Sequence, residues 1–91
     1  MNFYDTVAER GYAIKKEESA NLIHLIKEDG SKPAFVEAHI IFMREEKKIK
    51  GFISVHDLIF TVDDNAIIYR MFRHMKEDLE FFASKARYEI I

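Results

Sequence analysis

The stretch Ala34-Phe35-Val36-Glu37-Ala38-His39-Ile40-Ile41-Phe42-Met43-Arg44 alternates between two kinds of side chain. In an extended chain successive side chains point to opposite faces. Ala34, Val36, Ala38, Ile40 and Phe42 therefore share one side, and Phe35, Glu37, His39, Ile41 and Met43 the other. The first side is wholly apolar and predicts a surface packed on a core. The second is mixed and predicts partial cover. Such a strand belongs in the middle of an antiparallel sheet backed by helices on one face.

Working outward, Glu45-Glu46-Lys47-Lys48 reads as a solvated hairpin tip, and Ile49 to His56 as the returning strand, with Ile53 and Val55 on the inner face. Gly51 marks a bulge or a close approach. Asp57 breaks the pattern, and Leu58-Ile59-Phe60 fits either a continued strand or an irregular crossing. Upstream, Asp29-Gly30 and Pro33 are turn residues. They bound a strand over Asn21–Lys27 that places Ile23 and Leu25 on one side, Leu22 and Ile26 on the other. Tyr12-Ala13-Ile14 predicts a first strand, and Lys15-Lys16-Glu17-Glu18 its turn. Before it, Asn2 can cap a short helix over Phe3–Arg10, with Gly11 as the stop.

At the other end, Thr61, Asp63 and Asp64 gather acceptors at a helix start. Ile68, Met71, Phe72, Met75, Leu79, Phe82 and Ala86 then recur at helical spacing. The chain thus reads as one α+β domain over residues 1–91. Its architecture is a two-layer sandwich, an antiparallel sheet of about four strands with a short N-terminal and a long C-terminal helix, in the order α-β-β-β-β-α.

Composition excludes several classes of function. The 91 residues contain no cysteine, which removes disulfides, thiolate nucleophiles and sulfur-ligated metal centres together. The net charge is −2 with both signs interspersed, so no strong basic field is present to hold nucleic acid. No basic segment followed by an apolar one opens the chain, and no apolar run approaches the roughly 20 residues of a membrane helix, so a cytoplasmic protein without membrane insertion is expected. No glycine-rich phosphate loop occurs, and no cofactor is implied.

Four constellations stand out. If the hairpin pairs symmetrically about Glu46 and Lys47, Glu37 faces His56 and His39 faces Ser54. Glu37, His39 and His56 then form a candidate metal site for an enzyme or sensor. Ser54, His56 and Asp57 carry the residue types of a catalytic triad, but strand alternation turns Asp57 to the far side, so no catalytic set is assigned. A nucleic-acid surface would use Lys47, Lys48 and Lys50 with Arg70 and Arg73, diluted by Glu45, Glu46, Glu77, Asp78 and Glu80. The fourth signal is apolar surplus. Phe35, Ile41, Met43, Phe81, Tyr88 and Ile90 exceed the needs of a single core and together suggest a sticky surface, and the tail Tyr88-Glu89-Ile90-Ile91 alternates as a strand added to its own sheet or a neighbour's. The leading expectation is a non-enzymatic protein-interaction module that forms a homodimer. Nucleic-acid binding is the first alternative and a metal-dependent enzyme or sensor the second.

Overall fold

A computed structural model describes residues 3–19, 21–28, 36–56, 58–61, 72 and 74–91. Helix α1 (Phe3–Glu9) carries Asp5 in its first turn, where the positive end of a helix favours a carboxylate. It ends at Gly11, whose φ of 81° reverses the chain. Strands β1 (Ala13–Ser19), β2 (Leu22–Glu28), β3 (Val36–Met43), β4 (Lys48–Val55) and β5 (Leu58–Thr61) then pair antiparallel in sequence order. Helix α2 (Met75–Ala86) crosses back over one face, and β6 (Glu89–Ile90) pairs parallel with β4. The α+β architecture and element order follow the sequence expectation, with β5 and β6 enlarging the sheet.

The inner face is an aliphatic layer. Ile23 and Leu25 of β2, Ala38, Ile40 and Phe42 of β3, and Ile49 and Ile53 of β4 lie buried against Met75, Leu79, Phe82 and Ala83 of α2. Full burial of each large side chain contributes roughly 1.5–3 kcal/mol. Val7 and Tyr12 close one end, where the Tyr12 ring meets Phe82 edge-on at 5.6 Å.

Local corrections have identifiable causes. The charged run Lys15–Glu18 is strand, not turn: it belongs to the edge strand of the sheet, and two register irregularities between Ile14 and Ser19 interrupt its pairing with β2. Leu58–Thr61 is a strand of its own because His56, at φ 56°, turns the chain back after β4. The β3–β4 hairpin closes on Met43 and Lys48, so it is centred between Glu45 and Glu46. Lys47 takes a left-handed φ of 53° inside the turn, and this sets the register two residues from the expected one. A shift of two preserves the faces and changes the neighbours. Helix α2 begins at Met75 after His74, and Phe72 is irregular, so the described helix is shorter than the apolar periodicity predicts. Asn2, Asp57, Asp63, Asp64, Ile68 and Met71 fall outside the described residues.

The tail stays on its own sheet. Arg87, at φ 60°, ends α2, and the Tyr88 amide donates to Ala83. This swings the Tyr88 ring onto Phe42, 6.0 Å between centroids.

One charge lies within the core layer. Asp78 of α2 is 2% exposed; its carboxylate lies 3.4 Å from Arg10 and 3.7 Å from Lys27, and accepts from the Tyr12 hydroxyl at 3.3 Å. Burial, then this carboxylate, push the Tyr12 phenol far above its ordinary range. Removing one partner of a buried ion pair leaves uncompensated charge, so Asp78→Asn is expected to cost about 3 kcal/mol, the low end of such losses because Arg10 and Lys27 keep a path to water. Urea denaturation monitored by circular dichroism measures the change.

Candidate functional site

The outer face of the sheet, away from α2, brings together side chains that the sequence keeps far apart. The β2–β3 register sets His24 opposite Ile41 and Ile26 opposite His39, while the β3–β4 register sets His39 opposite Phe52 and Glu37 opposite Ser54. The result is a polar chain across three strands. His24 Nε2 lies 2.9 Å from His39 Nδ1, His39 Nε2 lies 2.9 Å from Ser54 Oγ, and Ser54 Oγ lies 3.4 Å from Glu37 Oε1.

The donors can be assigned from the acceptor-only end. An ionised Glu37 only accepts, so the Ser54 hydroxyl donates to it and accepts from His39 Nε2–H. His39 Nδ1 then accepts from His24 Nε2–H. No buried side-chain nitrogen or oxygen among the described residues lacks a partner. The His39 ring is 5% exposed and stacks on Phe52 at 4.6 Å between centroids, with the planes 3° apart. Its pKa is lowered from the ordinary 6.5, first by burial and then by His24.

This arrangement directs the Ser54 proton toward a carboxylate, which is not how an imidazole base activates a nucleophile. His39 turns its two nitrogens toward opposite neighbours, and among the described residues no three side chains converge as metal ligands. Glu37 and His39 are neighbours as expected, 3.6 Å apart, but His56 is not with them: it occupies the turn beyond β4. His24 takes the place in the cluster that the sequence assigned to His56. Its signal was the alternation of β2, which puts His24 on one side with Leu22 and Ile26.

The other predicted sets divide between two sides of the sheet. Ile41 and Met43 are half-buried on the outer face. Phe81 and Tyr88 pack on the inner side, Phe81 under the Arg10 guanidinium at 3.9 Å and Tyr88 against Phe42, so they do not join Ile41 and Met43 in one surface. Phe35, Arg70 and Arg73 lie outside the described residues. Lys47, Lys48 and Lys50 are exposed, but Lys48 and Lys50 project from the outer face, opposite to α2.

Apolar exposure concentrates along one border. Leu58 and Ile59 on β5 are 63% and 67% exposed, Ile90 and Ile91 on the tail 40% and 65%. β5 pairs with residues 52–55 of β4 and β6 with residues 48–49, so both flank the same edge and leave a notch between them. A groove of about 520 Å³ opens there, lined by Ile41, Lys50, Gly51, Phe52, Ile59, Thr61 and Ile91. The opposite edge, β1, is charged and irregular.

No protein-family model, no curated protein and no solved structure matches this chain. No helix among the described residues is long and apolar enough to cross a membrane.

The buried imidazole sets a pH dependence. The folded pKa of His39 is lowered, so above 6.5 the ring is neutral in both states and stability is complete. As pH falls below that value the unfolded chain binds a proton that the fold resists, and stability is lost until the lower folded value is passed. Melting temperature measured across this range is expected to fall on acidification. His39→Gln, which keeps one donor and one acceptor, is expected to flatten that part of the profile.

Proposed function

We propose that this chain is a self-associating protein-interaction module whose docking surface is the β5–β6 border, occupied by a second copy of itself. One observation carries the reading: the two most exposed large apolar side chains among the described residues, Ile59 and Ile91, line one groove, and the other two, Leu58 and Ile90, lie on the same strand border. Burying such groups recovers the hydrophobic free energy that a small domain has difficulty accumulating alone.

A second copy suits this border for two reasons. The border combines knobs (Ile59, Ile91) with a hollow (Gly51, Phe52, Ile41), the self-complementarity that a two-fold interface requires. The two edges of the sheet are also treated differently. β1 carries Lys15, Lys16, Glu17 and Glu18 and two irregularities, devices that discourage strand addition, whereas β5 reads Leu58-Ile59-Phe60-Thr61 without a charge. The mechanism is apolar burial rather than chemistry. A cysteine-free composition suits a reducing, cytoplasmic setting.

Light scattering behind size exclusion, from micromolar to millimolar chain, is expected to show a dimer. Ile59→Asp and Ile91→Asp are each expected to return the monomer mass while changing folding stability by only about 0.5 kcal/mol, as surface substitutions do. A wild-type chain that stays monomeric at millimolar concentration overturns the reading.

A further inference from the structure

The polar chain and the groove meet at one residue. Phe52 lines the groove, and its ring stacks on the buried His39 ring. The position of this wall is therefore tied to the imidazole behind it. We propose that the His24–His39 pair is a proton-sensitive latch on self-association, holding Phe52 in place for a second copy when neutral and releasing the dimer when protonated. The inference rests on the reading that a second copy occupies the groove, and adds its regulation.

The geometry explains why protons act here. One N–H, from His24, occupies the 2.9 Å gap between the rings. A proton added to His39 Nδ1, the acceptor of that bond, would set two N–H groups against each other between the rings. Each strand packed against the pair contributes to the balance. Lys15 on β1 adds positive charge and Glu37 on β3 opposes it, while β4 supplies the neutral Ser54 hydroxyl and the Phe52 ring, with Lys50 farther out on the groove rim. A second copy seated on Phe52 removes more water from the pair, so charging it costs more in the dimer than in the monomer. Protons bound preferentially by the monomer draw the equilibrium toward it.

The test is the dimer dissociation constant of the full chain, by sedimentation, at about pH 7.5 and about pH 5.5, the interval in which histidine changes charge. Wild type is expected to weaken about tenfold or more on acidification, a difference of about 1.4 kcal/mol. His39→Gln is expected to remove that dependence, and His24→Gln serves if circular dichroism shows His39→Gln unfolded. A dimer equally tight at both pH values overturns the latch and leaves self-association standing. A monomer at both overturns the self-association reading and the latch with it. Undiminished pH dependence in the folded variant also overturns the latch, assigning the effect to a group outside the pair.

Discussion

The constraint on which the rest of this structure depends is the burial of Ala38, Ile40 and Phe42 on one side of β3. The strand is paired on both edges, and its inner side chains are almost wholly excluded from water. A slip of one residue would exchange that row for Glu37, His39 and Ile41, placing a carboxylate and an imidazole under α2. The cost of burying such groups without partners far exceeds the stability of a small domain. β3 is thereby pinned, and β2 and β4 inherit its register. Packing on the inner face thus fixes which side chains reach the outer one, and turn geometry sets which of them are neighbours.

The two sides of the sheet handle buried polarity differently. On the helix side, Asp78 is surrounded by a cation and a phenol from the turn between α1 and β1 and by a second cation from β2, so charge is matched by charge and distant segments are tied to one carboxylate. On the outer side, His39 is held by neutral donors and acceptors in series, ending at the half-buried Glu37. The first arrangement joins a carboxylate to two cations and a phenol. The second contains imidazoles, whose charge changes under mild acidification, and it abuts the apolar groove through Phe52.

The asymmetry of the sheet edges has the same local origin. β1 remains in the sheet although its sequence is mostly charged, because an edge strand needs only one partner and can leave a side in solvent. At the far edge the chain lays two short segments beside β4, one antiparallel and free of charge, the other parallel and carrying only Glu89. Neither spans the whole strand, so the edge carries a notch and an exposed apolar rim instead of a continuous ladder.

Much of this was legible in the sequence. The alternation over residues 34–44 assigns the inner and outer rows of β3; Gly11 stops α1; and the spacing of Met75, Leu79, Phe82 and Ala86 marks the buried stripe of α2. These are local periodicities, dictated by backbone geometry within a few residues. Partner choice is not local. The left-handed Lys47 shifts the β3–β4 register by two residues, replacing the pairing of Glu37 with His56 by that of Glu37 with Ser54. His24 meets His39 only because β2 pairs with β3, and Tyr88 turns inward only because Arg87 ends α2 in a left-handed conformation. The sequence by itself determined which side chains share a face. The tertiary structure decided which of them touch, because cross-strand contacts depend on turn geometry and pairing between segments that the periodicity of any one segment does not encode.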